Sequence, residues 1–271
     1  MLYRILHVSD LHTGPPFDPA VARGLVRQAP EFQADLVVIS GDFVQRADFS
    51  AQWRAAVQLR DALPIPQLVV PGNHDVPLFN LHLRLLNPLG RYRRYMSREL
   101  NPCFERPGLV VVGAVTAQGL TTDGGWLSRQ QIANLRRMLA PYGPEVCKMV
   151  VWHHPVFNPP GLHRNRVMRG SHEAIRLLDE CGVDLLLCGH IHLTHVGSTR
   201  DILHDLRRGT IICQSGTTTS RRGYGQEHGR NSCNLIELEA QTITIHRLLF
   251  DPATDRFEPN GTHVFPRPLG A

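Results

Sequence analysis

Pro71-Gly72-Asn73-His74-Asp75 follows the apolar run Gln67-Leu68-Val69-Val70. The run reads as a short buried strand, and Gly72 permits a sharp turn at its end. Three side chains able to hold an ion or move a proton therefore leave one strand terminus together. Loops at strand ends of a rigid scaffold are where sites are built. Taken alone, Gly72-Asn73-His74-Asp75 is equally compatible with an ordinary turn and polar caps. Its meaning depends on its surroundings.

Working outward, the same arrangement recurs. Residues 2–9 form an apolar strand that ends in Ser9-Asp10-Leu11-His12, and Leu36-Val37-Val38-Ile39 ends in Ser40-Gly41-Asp42. Cys147 to Trp152 ends in His153-His154-Pro155, and Asp184 to Leu187 ends in Cys188-Gly189-His190-Ile191-His192. Helical patterns lie between the strands. Asp18 caps one that runs to about Gln28, residues 49–62 form another stopped by Pro64, and a third ends near Gly182. Ser128 to Leu139 is a fourth, with Ser128 as N-cap and Gln131 completing a capping box. Leu109 to Val115 and Thr210 to Cys213 add strands, and a Gly/Ser/Thr/Arg loop over 216–231 precedes an antiparallel pair, Asn234–Glu239 with Thr242–Phe250. Strands alternating with helices predict an α/β fold whose parallel strands end along one edge, where ligands bind. Asp10/His12 and His190/His192 have the spacing that turns both side chains to one side of an extended backbone.

The bulk properties bound the rest. The chain has 271 residues, 42% hydrophobic and 20% charged, which suits a single domain over 1–271 with a sizeable core. No apolar run approaches the ~20 residues that span a bilayer, and the first residues lack the layout of a signal peptide. A cytoplasmic protein is the expectation. The six cysteines show no C-x-x-C spacing and read as reduced packing residues. Of the 29 basic residues all but Lys148 are arginine, giving a net charge of +5. Compositional drift accounts for this more simply than selection for nucleic acid, although a basic surface would attract phosphorylated substrates. Residues 77–105 read as a basic helical insertion, a pair of short surface helices broken at Pro88-Leu89-Gly90. Its arginines read most simply as a solvated face; the alternatives are a lid or a contact for anionic lipid. Residues 251–271 read as a Pro-rich surface tail.

Each candidate group alone has a bland reading, since strand-end histidines are often satisfied by backbone and Gly-Asp turns are common. Five ordered pieces, each at a strand terminus, point instead to a dinuclear metal centre of aspartate, asparagine and histidine. That donor mixture suits Mn, Fe or Zn better than Ca or Mg.

At this point the chain resembles the calcineurin-like metallophosphoesterases. The family pattern D-x-H, G-D, G-N-H-[DE], H and G-H-x-H stands here as Asp10-Leu11-His12, Gly41-Asp42, Gly72-Asn73-His74-Asp75, His153 and Gly189-His190-Ile191-His192. The resemblance implies a four-layer α/β/β/α sandwich of two mixed sheets flanked by helices. It implies one ion on Asp10, His12, Asp42 and His192, and another on Asp42, Asn73, His153 and His190, with Asp42 bridging. Of the adjacent histidines His153 matches better, because the family's ligand stands two residues before the proline; His154 is the reserve. The resemblance makes His74 a proton or hydrogen-bond donor, with Asp75 orienting its ring. His195, Arg46, His163, Arg164 and Asn231 are candidate substrate contacts.

Within the family, the short chain, the Gly-Asn-His-Asp form and the loops after His153 look most like bacterial 3',5'-cyclic-nucleotide phosphodiesterases. A small phosphodiester is thus the expected substrate. A glycerophosphodiester or lipid-headgroup esterase is the alternative, and a nonenzymatic scaffold is disfavoured by retention of every ligand and His74. No DNA-capping domain follows His192, so no dedicated nucleic-acid partner is expected. Peripheral membrane contact through 77–100 and a homodimer stay open.

Overall fold

The computed structural model describes residues 2–160, 162 and 167–267. In chain order its strands are β1 (Tyr3–Val8), β2 (Leu36–Ile39), β3 (Gln67–Val69), β4 (Cys103–Arg106), β5 (Leu109–Gly113) and β6 (Cys147–Val151). They continue as β7 (Leu185–Cys188), β8 (His195–Ser198), β9 (Ile211–Gln214), β10 (Ser232–Leu238), β11 (Thr242–Asp251) and β12 (Arg256–Pro266). The helices are α1 (Pro19–Gln28), α2 (Ser50–Asp61), α3 (Leu81–Leu86), α4 (Gly90–Tyr95), α5 (Arg129–Leu139) and α6 (Ser171–Glu180).

One six-stranded sheet runs β12-β11-β10-β1-β2-β3 and the other β4-β5-β6-β7-β9-β8. In the first sheet the parallel strands β1-β2-β3 form one half, ending at the edge strand β3, and the antiparallel strands β10, β11 and β12 form the other; the second has a parallel centre, β5-β6-β7-β9, with antiparallel β4 and β8 at its margins. The side-chain period of two assigns the layers. Ile5, Leu36, Val38 and Leu68 of the first sheet pack against Val111, Met149, Val151, Leu185 and Leu187 of the second. Their sequence neighbours face outward: Leu6, Val8, Val37 and Ile39 pack with Val21, Leu25 and Trp53 of α1 and α2. Val110, Val112, Val150 and Leu186 pack with Leu135, Leu139, Ile175 and Leu178 of α5 and α6. Burial on both faces explains why these strands read as unbroken apolar runs. At ~1.5–3 kcal/mol for each fully buried aliphatic side chain, the middle layer is a large contributor to stability. The expected four-layer arrangement of two mixed sheets flanked by helices is the observed one.

Caps follow the sequence, with one change. Asp18 accepts from the amides of Ala20 and Val21 at the start of α1, and Ser128 accepts from that of Gln131. Gln131 does not close a capping box, because its Oε1 takes the amide of Val115 (3.1 Å) and so ties α5 to the end of β5.

Several expectations are corrected. The expected surface tail holds regular structure: Arg256–Pro266 is the edge strand β12, largely exposed and paired antiparallel with β11. Gln28 fixes it through both the amide and the carbonyl of Phe257. Pro259 escapes the usual exclusion of proline from sheets because it lies on an edge strand, at the register shift between His246 and Leu248. The basic insertion ends before β4, which turns back on β5 through Pro107-Gly108. Its two short helices are present, but Arg84 is no solvated arginine: it is buried and donates to the carbonyls of Pro77 and Thr121. All six cysteines are free, and Cys103 is exposed rather than packed. Among the described residues no helix is long and apolar enough to cross a membrane.

Candidate metal centre

The parallel strands of both sheets end on one edge, and the polar segments that follow them converge across the gap between the sheets. Asp10 and His12 follow β1, Asp42 follows β2, Asn73 follows β3, His153 follows β6, and His190 and His192 follow β7. All seven are buried. One ligand atom each from Asp10, His12, Asp42 and His192 lies within 4.8 Å of the other three. The closest pairs are His12 Nε2 to His192 Nε2 at 2.9 Å, His192 Nε2 to Asp10 Oδ1 at 3.1 Å, His12 Nε2 to Asp10 Oδ1 at 3.5 Å and His12 Nε2 to Asp42 Oδ2 at 3.6 Å. Beside this group, His153 Nε2 is 3.3 Å from Asp42 Oδ2 and 3.2 Å from Asn73 Oδ1, and His190 Nδ1 is 3.0 Å from the same asparagine oxygen.

These separations carry chemical content. Ligands held at ~2.1 Å from one ion stand ~3.0–3.4 Å apart at octahedral or tetrahedral angles. The nitrogens also present lone pairs to the centre. His153 Nδ1 is 2.8 Å from the Ser40 carbonyl and His192 Nδ1 is 3.0 Å from the Arg222 carbonyl. A carbonyl can only accept, so the proton sits on Nδ1 and Nε2 is free to ligate. Asp10 Oδ1 is fully buried without a hydrogen bond, its neighbours being imidazole nitrogens. An oxygen so placed is costly unless a cation meets it. The donor set therefore fits a pair of metal ions.

The backbone route to this geometry was not legible as an extended segment. Asp10 (φ 53°), His12 (φ 47°), Asp42 (φ 54°), His190 (φ 77°) and His192 (φ 59°) are all left-handed. Asn73-His74-Asp75 is a short 3-10 turn. Left-handed non-glycine residues cost of order 1–3 kcal/mol each in their rarer forms and persist where surroundings over-determine them. Here the determinants are specific: the amides of Asp10 and His12 donate to the carbonyls of Gly41 and Asp42. Thr217 and Thr219 hydroxyls donate to the carbonyls of Asp10 and Leu11. Gly72 and Gly189 permit the close approach, since a methyl group at either would overlap the carboxylate of Asp42 or Asp10 respectively.

Burial alone would raise the two aspartates, but the surrounding histidines hold both carboxyls well below the usual range, His192 foremost at Asp10 and His153 at Asp42. Burial pushes His12 down to about 3. At His153 burial is outweighed by Asp42, and its imidazole is raised to about 9. Two ionised carboxylates buried at the centre of these ring nitrogens make a cation-seeking cavity.

His74 lies at the rim. Its Nδ1 is 2.8 Å from the Gln45 carbonyl, and its Nε2 accepts from Arg222 at 3.1 Å. Burial, with Arg222 and Arg46 nearby, lowers its pKa despite Asp42. The expectation that Asp75 orients this ring is corrected. Asp75 is fully buried and takes the amides of Phe43, Val44 and Gly72 instead, so it ties the loop after β2 to the loop after β3. Burial and the charge of Asp42 push its carboxyl up to about 8.

The other expected contacts divide. Arg46 lines a cleft of ≈ 240 Å³ with His74, Asn73, Thr122, Asp123 and Arg222. His195 is on β8 with its ring edge-on to Phe157, and it makes no hydrogen bond with the seven. Asn231 is buried away from them, holding the Ser220 carbonyl. His163 and Arg164 lie outside the described residues. His154 Nδ1 meets the Thr116 hydroxyl at 2.8 Å, which leaves His153 at the centre. Sequence reasoning missed Arg222, whose guanidinium also meets Gln45 Oε1 at 3.0 Å, and the threonine clamp. Both come from the 216–231 loop, which follows β9 but opens with no aspartate or histidine of the kind that marked the other strand ends.

A family model for calcineurin-like phosphoesterase matches residues 3–193. The chain belongs to that family. The buried Asp/His cluster is in keeping with that membership. Solved structures share the fold. A purple acid phosphatase from yellow lupin (Lupinus luteus) is 12% identical with a TM-score of 0.70, and the match covers 98% of this chain and 54% of that one. A dimetal phosphatase from Danio rerio is 12% identical, TM-score 0.69, with 98% and 99% covered. GAP50, the anchor in the inner membrane complex of Plasmodium, is 15% identical, TM-score 0.65, with 98% and 89% covered. The chain spans about half the length of the lupin phosphatase. No curated protein matches it significantly.

Proposed function

We propose that this phosphoesterase is a phosphodiesterase with a 3',5'-cyclic nucleotide as preferred substrate, acting in the cytoplasm. Asp10, His12, Asp42 and His192 would hold one ion and Asp42, Asn73, His153 and His190 the other. The observation that carries this assignment is Asp42, whose Oδ2 approaches His12 on one side and His153 on the other (3.6 and 3.3 Å). The mixed nitrogen and oxygen donors suit Mn, Fe or Zn. Such a metal pair supplies Lewis acidity to phosphoryl oxygens and a nucleophilic water at neutral pH.

The chain's own residues do the remainder. Arg46 and Arg222 flank His74 in the cleft and offer guanidinium donors to non-bridging phosphate oxygens. His74 keeps its proton on Nδ1, held by the Gln45 carbonyl, while Nε2 accepts from Arg222. A bound phosphate that takes the Arg222 N–H leaves Nε2 free to take a proton from solvent water in the cleft and pass it to the leaving oxygen. A diester needs that proton because its leaving group is an alkoxide. The Gly-Asn-His-Asp form and the loop after His153 support the cyclic-nucleotide choice. A second reading, a glycerophosphodiester or phospholipid headgroup, is favoured by exposed leucines near the cleft.

The test is turnover of cyclic nucleotides, glycerophosphodiesters and nitrophenyl esters by metal-stripped and Mn-loaded protein. Cyclic-nucleotide hydrolysis should vanish on stripping and return with Mn. Preference for glycerophosphodiesters would select the second reading, and full activity without metal would end both. His74→Ala should keep the metals yet lose ~10²–10⁴-fold on poor leaving groups and less on a nitrophenyl diester. Equal losses on both would remove the proton-donor role.

A further inference from the structure

Helix α3 is built inside out. Its charged residue, Arg84, is buried against the carbonyls of Pro77 and Thr121, while Leu81, Leu85 and Leu86 point to solvent. A surface helix normally places these the other way. The leucines do not stand alone. Ten large apolar side chains are exposed among the described residues, and six of them belong to this region: Phe49, Phe79, Leu81, Leu85, Leu86 and Leu120, each between 50% and 77% exposed. Phe49 and Phe79 meet with ring centroids 6.3 Å apart. Gly119 stands so close to the carbonyl of Arg84 that a methyl group there would overlap it, which sets Leu120 beside the C-terminal end of α3. The result is one apolar ridge rather than scattered residues.

Charge accompanies it. From Pro77 to Arg98 the chain carries five arginines, at 84, 91, 93, 94 and 98, and no aspartate or glutamate. The chain has 29 basic and 24 acidic residues, so the whole net charge of +5 equals that of this segment and the remainder balances. Arg93, Arg94 and Arg98 on and after α4 are exposed. Just before α3 the carboxylate of Asp48 is occupied by the amides of Leu78, Phe79 and Asn80.

We propose that this ridge docks on an anionic lipid surface, with the α3 leucines and Phe79 entering the interface and the α4 arginines meeting the headgroups. Exposed leucines and aromatics beside uncompensated arginines are the composition of an interfacial helix. A second copy of the chain is a poor occupant, because a two-fold interface sets the same patch against itself and would bring the arginines of both copies together without counter-charge. Nucleic acid would use the arginines and leave the leucines in water. The ridge also borders the reaction centre: Leu78, Arg84 and Thr122 line the cleft that contains His74 and Arg222. Docking would therefore present that cleft towards the membrane surface. The proposal is independent of which phosphoester is turned over.

The experiment is flotation of the full chain with phosphatidylcholine vesicles, with and without phosphatidylserine, at low and high salt. Binding should require phosphatidylserine and fall with salt. Replacing Leu81, Leu85 and Leu86 together by serine should abolish it, while turnover of a soluble nitrophenyl ester stays at the parent rate. Arg91→Gln, Arg93→Gln and Arg94→Gln combined should weaken partitioning by on the order of a hundredfold. Failure of the parent protein to float with phosphatidylserine vesicles would overturn the proposal. So would unchanged flotation in both variants, or a solution dimer that the serine variant dissolves.

Discussion

Asp75→Ala tests whether this carboxylate acts on the loops or on the ring of His74. Asp75 is 0% exposed and accepts three amides: Phe43 (2.9 Å), Val44 (3.3 Å) and Gly72 (2.8 Å). Truncation leaves all three donors without their acceptor in a buried place. Each unsatisfied donor costs about 1–3 kcal/mol, and relief by an entering water brings the sum to about 3–5 kcal/mol. That is a large part of a typical stability of ~5–15 kcal/mol. At roughly 2–4 °C per kcal/mol for a chain of this size the midpoint should fall by about 10 °C. Two of the loops concerned carry Asp42 and Asn73, so metal content should fall as well. Activity should drop by the same factor on nitrophenyl and alkyl diesters, since His74 keeps its Gln45 contact. Asp75→Asn should be milder, because one oxygen can still serve Phe43 and Val44 while its amide opposes the Gly72 N–H. The assay is thermal unfolding with and without Mn, metal analysis, and the ratio of rates on the two diesters. An unchanged midpoint and metal content with a loss confined to poor leaving groups would refute this reasoning and return Asp75 to His74.

Asp42→Ala should lose both ions and activity together, because it is the side chain proposed to touch both sites; two tightly bound ions in the variant would disprove the bridge. Gly72→Ala should lose metal affinity at near-parent secondary structure, since the added methyl overlaps the Asp42 carboxylate; metal titration checks it, and parent affinity would contradict the steric argument. Asp48 concerns pH. Partial burial raises its pKa, but the amides of Leu78, Asn80 and Phe79 outweigh this and lower it below the ordinary value. A depressed carboxyl stabilises the fold above its unfolded pKa of ~3.9 and loses that contribution as pH falls through the folded value. Asp48→Asn should therefore cost about 1–2 kcal/mol at neutral pH, with the difference from the parent closing in acid; denaturant unfolding at a series of pH values reads it.

The residues that resist inference from sequence share a physical character. Asp10, His12, Asp42, Asn73, His153, His190 and His192 were legible because ligand chemistry demands particular side chains, and each stands just after an apolar run. Their backbone was not. Both i,i+2 pairs have left-handed backbones; that of Asp10/His12 is enforced by Gly41, Asp42, Thr217 and Thr219 carbonyl and hydroxyl contacts from elsewhere in the chain, and His190 gives its amide to Asp10. Asp75 misled for the same reason: adjacency suggested a partner for His74, whereas its partners are the amides of a loop some thirty residues earlier.

Sequence alone determined the layered α/β architecture, the edge on which the site lies and the donor types of a metal pair. Those follow from local periodicity and from side-chain chemistry, which every residue carries with it. Tertiary structure alone decided that β12 forms an edge of the first sheet, that Asp75 serves the loop after β2 and not His74, that Arg222 stands over His74, and that Arg84 turns inward while its leucines turn out. Each of these depends on which distant backbone or side-chain groups stand nearby as partners. That is fixed by the packing of the whole chain and by no local pattern.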